Sequence, residues 1–325
     1  MELPIGMASR RSVYCVLSSR SLPYAHLAVE SLLSRSLDDL DLSLITDSAD
    51  DKRALLDAME SIGVAPRHAW CVRDQDEADD IAASVFSPYP HISAFRLGHP
   101  CWRKITDPLL FAAPDAEMVI LDPDLYFPNN FRFEPTPANG LLLMHQPPSC
   151  LLPDHVVMRA YGQGIRLAHH VDIGVAHVRN NLDLDWLDWL IEKLGGSQLP
   201  RVMHVEAIVW AALAMRLGGG YLDPVHWHCW RNSQWNRFLL LLGISGRTVL
   251  RSERFKEMKC FHGGGIAKWW IPEAVKAGDL PTPTQVLSTH DPAPFEELTR
   301  QGYESTQRLK AFARKAGYYR LLKTH

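Results

Sequence analysis

Two aspartates separated by one proline, Asp122-Pro123-Asp124, follow directly on the apolar run Met118 to Leu121. Side chains two apart on an extended segment point the same way, so both carboxylates can address one spot. Carboxylates held that close repel unless a cation lies between them. The pair therefore reads as a divalent-metal site at a strand end, set against the plain turn that Asp and Pro also favour. Further along, Phe261 to Trp270 reads FHGGGIAKWW. Its glycines let backbone approach a ligand closely. His262 is a metal-ligand type, and Lys268 is a point charge suited to phosphate. A divalent ion, a lysine and a glycine-rich loop make a set able to hold a diphosphate.

These groups need a scaffold. Met118 to Leu121 is short, apolar and partly β-branched, the pattern of a strand covered on both faces, and Pro123 ends its ladder. Upstream, strand patterns at Ser12–Leu17, Asp41–Thr46 and near His68–Val72 alternate with helix patterns at Tyr24–Ser36 and Asp51–Gly63. The acidic stretch Arg73–Asp80 reads as a solvated helix start without chemistry, since acids favour helix N-termini. A helix over Trp102–Ala113 then precedes the strand that leads to Asp122. Such alternation predicts a parallel sheet covered on both sides, with ligands bound beyond the carboxyl ends of its strands. After Phe127 the pattern is less regular: strands at Gly140–Gln146 and His169–Arg179, and glycine-terminated helices at Leu184–Gly196 and Val205–Gly219.

Composition narrows the classes. The 325 residues are 46% hydrophobic and 22% charged, with a formal net charge of −3, ordinary for a globular protein and without general attraction to nucleic acid. No apolar run approaches the ~18 residues of a membrane span, and the first twenty residues lack the apolar core of a signal peptide. Six cysteines without CxxC pairs fit a reducing compartment, so a cytoplasmic location is expected. His226 to Trp230, HWHCW, matches no zinc spacing. The glycine clusters at Leu217–Tyr221 and His262–Gly265 match neither a P-loop nor a dinucleotide fingerprint. GxSxG is absent. Ten tryptophans, several around HWHCW and KWW, are candidates for stacking on sugars or for core packing.

Taken together, these pieces resemble a GT-A fold glycosyltransferase of family 8, the group that includes glycogenin and bacterial galactosyl- and glucosyltransferases. In that family a strand ends in Asp-x-Asp, matched by Asp122 and Asp124, and a later His-x-x-Gly-x-x-Lys-x-Trp segment closes over the donor diphosphate, matched by His262, Gly265, Lys268 and Trp270. Trp269 replaces the usual proline. An arginine at the start of a helix about twenty residues before Asp-x-Asp is matched by Arg103, with Lys104 beside it. The segment after the first strand, with Ser18, Ser19 and Tyr24, resembles the nucleotide-base pocket. The chain departs from the pattern at Asp172, where many members have asparagine, and at His204 and Glu206, where many have a Gln-Asp element.

The resemblance implies an α/β fold with a mostly parallel, Rossmann-like central sheet, helices on both faces and a C-terminal helical tail. It implies a catalytic domain over 1–280, with a nucleotide-sugar part at 10–127 and an acceptor part at 128–280. A Pro-rich linker at 281–294 and a basic tail at 295–325 follow. It implies a metal-dependent, retaining hexosyltransferase acting from a UDP-sugar donor onto a carbohydrate or lipid-linked glycan. Mn2+ is preferred to Mg2+ because the ligand set, Asp122, Asp124 and His262, mixes oxygen with imidazole. Asp122, Gly265, Lys268, Arg103 and Lys104 would contact the donor, and Asp172 or Glu206 the sugar or acceptor hydroxyl. The rivals are a sugar nucleotidyltransferase, disfavoured because Ser18–Tyr24 lacks a glycine-rich phosphate loop, and a catalytically silent nucleotide-sugar binder. The tail beyond Leu298 holds seven basic residues against Glu304, with Leu309, Phe312, Tyr319 and Leu322 along one side. It suits either an anionic membrane surface or docking on the catalytic domain with its basic face in water.

Overall fold

The computed structural model describes residues 10–147, 151–280 and 285–318. Its first half alternates as the pattern requires. β1 (Arg11–Val16), α1 (Leu22–Arg35), β2 (Leu40–Ile45), α2 (Ala49–Ile62) and β3 (Ala69–Arg73) lead through α3 (Gln75–Val85), α4 (Pro90–Arg96) and α5 (Arg103–Phe111) to β4 (Glu117–Leu121). The acidic stretch before α3 forms a capping box, with Asp74 accepting from the Glu77 amide and Glu77 from the Asp74 amide. Gly63 ends α2 in the left-handed conformation.

The second half adds β5 (Leu125–Tyr126), β6 (Asn130–Phe131), β7 (Leu141–His145), α6 (Asp154–Gly162), β8 (Val171–Arg179), α7 (Leu184–Leu194) and α8 (Val205–Leu217). Short elements complete it: β9 (Gly219–Tyr221), β10 (Trp227–Cys229), α9 (Gln234–Leu241), α10 (Gly246–Leu250), β11 (Cys260–His262), α11 (Ala267–Lys276), β12 (Val286–Leu287), β13 (Ala293–Pro294) and α12 (Arg300–Lys315).

The main sheet runs β3-β2-β1-β4-β8-β7-β10-β11-β5, with β9 also on β7 and β13 on β9. Pairing is parallel across β3, β2, β1 and β4 and across β7, β10 and β11. β8 lies antiparallel between β4 and β7. The alternation of side chains sorts the core into two layers. Tyr14, Val16, Met118, Ile120, Leu141 and Leu143 face a cluster with α5 to α8. Val13, Cys15, Val119, Leu121, Leu142 and Met144 face α1, α2 and the Phe127–Phe131–Phe133 aromatics. A third, smaller core joins Tyr126, Trp230, Leu250 and Phe261 to α11.

The described part of the Pro-rich segment is held by two pairings: β12 forms a separate two-stranded sheet with β6, and β13 joins the main sheet through β9. The His169 amide donates to the Glu296 carbonyl, and Tyr303, buried at the start of α12, donates its hydroxyl to Asp154 at 2.7 Å. Leu309 and Phe312 are exposed, while Tyr319, Arg320, Leu322 and Lys323 lie outside the described residues.

A buried ion pair ties the segment after β6 to the residues ahead of β11. Lys259 Nζ, ahead of β11, donates to Glu134 Oε1 at 2.6 Å and to the Arg132 carbonyl at 3.0 Å, while Trp227 Nε1 donates to Glu134 Oε2 at 2.9 Å. Removing one partner of such a pair strands the other charge, so Lys259→Met should cost about 3–5 kcal/mol of stability in urea unfolding. Adding Glu134→Gln, which keeps an acceptor for Trp227, should recover a substantial part of that loss. An unaltered midpoint in the single variant would show that water already compensates Glu134.

Candidate functional site

β4 delivers Asp122 and Asp124 just past its last residue. The Asp122 amide donates to the Gly174 carbonyl of β8, and the Gly263 amide donates to the Asp124 carbonyl, so both aspartates are fixed by backbone on opposite sides. His262, the last residue of β11, reaches the same place. Its Nε2 lies 3.2 Å from Asp124 Oδ1 and 3.8 Å from Asp122 Oδ2. One ligand atom each from Asp122, Asp124 and His262 lie within 4.8 Å of one another. The sequence named these three, and the fold brings them together.

Behind them stand two further carboxylates. Asp172 Oδ1 faces His262 Nδ1 at 2.8 Å and accepts from the Gly174 amide at 2.9 Å. A carboxylate only accepts, so Nδ1 carries the proton and Nε2 is directed at the aspartates. Gly174 is required here, because a Cβ at that position would sit 2.6 Å from His262 Nδ1. On the other flank, Lys104 Nζ lies 2.5 Å from Asp122 Oδ1 and 3.1 Å from Glu206 Oε1. Glu206, in the first turn of α8, is 1% exposed; its Oε1 also accepts from Trp210 Nε1, and its Oε2 has no partner among the described residues.

Burial drives the electrostatics. It raises the Glu206 pKa to about 8, against the opposing pull of Lys104, and Asp122 adds to the rise. Burial also raises Asp122, opposed by Lys104 and reinforced by Asp124. At His262 burial opposes the charge, but Asp172 and Asp124 outweigh it and hold the imidazole well above its ordinary range. Burial likewise works against the Asp124 carboxylate, yet His262 and Lys268 bring it down to about 2. The result is a chain in which acidic and basic groups alternate: Glu206, which keeps its proton up to about pH 8, then Lys104, Asp122, His262 and Asp124, with Asp172 behind the imidazole.

A second ligand-type group, Asp172, Cys229 and His262, shares the histidine. Burial pushes the Cys229 thiol up to about 12, and His262 Nδ1 is already committed to Asp172, so this group suits a cation less well than the aspartate pair.

The outer rim carries Lys268, 3.8 Å from Asp124 Oδ2. Its Nζ also lies 4.9 Å from the centre of the Tyr24 ring, which meets Trp269 edge-on at 5.0 Å. Gly265 just before it has φ +70, the left-handed turn into α11. Ser18 and Ser19 lie at the carboxyl end of β1, where the Ser19 amide donates to Asp51 Oδ1 at 2.9 Å. Arg103 does not join the cluster: its guanidinium is held by Asp107 and Asp47, each at 2.7 Å, and by the Thr46 carbonyl. Exposed His204 precedes α8, and His226 stacks on His290 rather than on another residue of HWHCW. The Trp269–Tyr24 contact and the role of Gly174 escaped the sequence reading. The glycine two residues after Asp172 was the available signal for the second.

No family model matches the chain, and no curated protein matches it in sequence. Glycosyltransferases are among the solved structures to which it is similar. Mouse xyloside xylosyltransferase 1, in its apo form, is 12% identical, with 79% of this chain and 98% of that one covered and a TM-score of 0.48. A galactosyltransferase in complex with donor and acceptor sugar analogues is 12% identical, over 84% and 98%, with a TM-score of 0.44. The glycosyltransferase GlyE of Streptococcus pneumoniae, in its apo form, is 13% identical, with a TM-score of 0.46; 84% of this chain and 61% of that one are covered.

Asp172 holds His262 both by charge and by accepting its proton. Should the aspartate–histidine group take a divalent cation, Asp172→Ala would lower its affinity for Mn2+, the probe ion, by about 10–100-fold, with Asp172→Asn, which keeps an acceptor, losing less. Titration of free Mn2+ by electron paramagnetic resonance reads this directly. Wild-type affinity in a well-folded Asp172→Ala variant would mean that the pair does not set the imidazole.

Proposed function

We propose that the protein is a metal-dependent glycosyltransferase that moves a hexosyl group from a UDP-sugar to an acceptor hydroxyl, with retention at the anomeric carbon. The observation that carries this reading is the convergence of Asp122, Asp124 and His262 at the end of β4, with Lys268 on the rim beside them. Two carboxylates and an imidazole suit Mn2+ better than Mg2+, and the ion, when bound, supplies Lewis-acid neutralisation of the donor diphosphate. The remaining chemistry belongs to the chain's own residues.

Lys268 is the most exposed member of the group at 26%, beside Asp122 at 14%. It is placed to meet phosphate oxygens and to stabilise the charge that grows on the leaving diphosphate. Tyr24 and Trp269 offer ring faces next to it, and Ser18 and Ser19 lie at the neighbouring strand end for the nucleotide. The C1–O bond to the diphosphate breaks toward an oxocarbenium-like sugar, and the acceptor oxygen bonds to C1 on the same face. The acceptor's proton passes to the departing phosphate oxygen. Asp172 and Glu206 sit behind His262 and Lys104, so in this reading both act as positioning residues: Asp172 sets the imidazole, and Glu206 shares Lys104 with Asp122. The acceptor is a carbohydrate or a lipid-linked glycan.

Asp122→Asn and Asp124→Asn should each lower Mn2+-dependent UDP-sugar turnover at least ~100-fold, since each removes a contact that grows stronger as charge develops. Near wild-type turnover in either folded variant would end the metal assignment. Lys268→Ala should weaken UDP binding by ~10-fold or more through loss of a charge-assisted phosphate contact. Uridine, which lacks the phosphates, should bind almost as before. Calorimetry showing equal losses for both ligands would assign the lysine to loop structure instead.

A further inference from the structure

Ten residues, Trp235 to Ile244, hold five of the seventeen large apolar side chains that stand exposed among the described residues: Trp235, Phe238, Leu241, Leu242 and Ile244. Trp235 is 65% exposed and Leu242 62%. The helix that carries them is nonetheless well built. Ser233 caps α9 by accepting from the Asn236 amide at 3.1 Å, and Asn236 is buried with its Nδ2 donating to the Arg231 carbonyl at 2.9 Å. α9 thus turns Asn236 inward and Trp235, Phe238 and Leu241 outward, while Leu239 and Leu240 are half-buried, against the habit of a surface helix. A contiguous apolar patch of this kind marks a contact surface.

Charge says what kind of contact. From Arg231 to Ser252 the chain has four arginines, Arg231, Arg237, Arg247 and Arg251, and no Asp or Glu. Asp279 pairs with Arg247 and Arg251, whereas Arg231 and Arg237 have no acidic partner among the described residues. Aromatic and aliphatic side chains bordered by arginine are the composition of an element that lies in a lipid–water interface. A second copy of the chain across a twofold contact would also bury the apolar residues, but would bring two copies of the same arginine-bearing, acid-free segment together. An anionic bilayer compensates those arginines.

The patch also adjoins the candidate site. The Trp230 amide donates to the His262 carbonyl at 2.9 Å, and the Trp230 ring meets Trp270 edge-on at 5.5 Å. α9 packs on α10 and α10 on α11, where Ile266 and Trp269 are exposed as well. We propose that the outward face of α9 docks on an anionic lipid bilayer and so holds the site at the membrane surface, within reach of a lipid-borne acceptor. The docking stands on the patch itself; only the acceptor rests on the function proposed above.

Sedimentation of the full chain with vesicles tests it. Wild type should pellet with phosphatidylglycerol-containing vesicles at low salt, less at high salt, and weakly with pure phosphatidylcholine. The triple variant Trp235→Ser, Phe238→Ser, Leu242→Ser should lose about tenfold or more of that binding, because the apolar area entering the bilayer is removed. Its melting temperature and UDP affinity should match wild type, as all three side chains face solvent. Leu309→Ser with Phe312→Ser, on α12, should leave pelleting intact. The docking is overturned if wild type stays in solution with anionic vesicles, if the triple variant pellets equally, or if only the α12 variant loses binding. It is overturned too if wild type instead forms a dimer that the triple variant lacks. Vesicle binding without any UDP binding would leave the docking standing and remove the transferase reading alone.

Discussion

Three carboxylates, Asp122, Asp124 and Asp172, meet in a mostly buried space at the joined ends of β4, β8 and β11, with a fourth, Glu206, just behind. Left to themselves they would repel at a cost the fold could not bear, since desolvation removes the screening that water gives such groups at a surface. Lys104 and His262 make the arrangement possible. Each stands between two acids: Lys104 between Asp122 and Glu206, His262 between Asp172 and the aspartate pair. The cluster is thus held by two internal cations. Its most accessible acids, Asp122 and Asp124, are the ones an external cation or a phosphate-bound ion meets first.

The topology is what lets six side chains from five segments reach one point. An uninterrupted parallel sheet would set the end of β4 beside another strand end. Here β8 runs antiparallel between β4 and β7, so its beginning, with Asp172 and Gly174, lies against the finish of β4. The Asp122 amide is spent on the Gly174 carbonyl, leaving its side chain free to turn outward. β11, antiparallel to the short β5, returns His262 to the same edge from the far side. α5 and α8 close the cluster from behind with Lys104 and Glu206. The first turn of α11 contributes the adjustable member, Lys268, while the strands fix the carboxylates.

Much of this was legible in the sequence, for identifiable reasons. The first three strands, the helices between them and the strand ending at Asp122 show strong period patterns and firm punctuation, Pro123 and Gly63 among them. Asp-x-Asp and the His-Gly-Lys segment declare themselves because their residue types are costly to place without a purpose. The antiparallel sense of β8 was not legible, because a strand's own pattern is the same whichever way its neighbour runs. Short strands such as β5, β9 and β10 have too few residues to carry a period. Arg103 and Lys104 were both expected at the donor, on the strength of the resemblance. In the fold Asp47 and Asp107 hold the Arg103 guanidinium, and Lys104, one position further round the helix, is the one that enters the cluster. A rotation of one residue on a helix cannot be read from spacing to a distant motif.

The same arrangement explains how the cluster would treat an incoming divalent ion. Asp122 is held by Lys104, and Asp124 by His262 and Lys268, so the two carboxylates are drawn toward different partners. An ion between them competes with cations already present, which lowers intrinsic affinity but keeps the ligands in place before it arrives. Ligands held in advance lose little freedom on binding, so the competition and the preorganisation oppose each other. On the function proposed above, a nucleoside diphosphate would change that balance. Its phosphates offer Lys268 a better partner than Asp124 and bring negative charge of their own, releasing carboxylate for the ion. Ion and diphosphate are therefore expected to bind more tightly together than either alone, each improving the other's affinity by the same factor. On the function proposed above, that coupling would originate in Lys268, 3.8 Å from Asp124 and between ion and diphosphate.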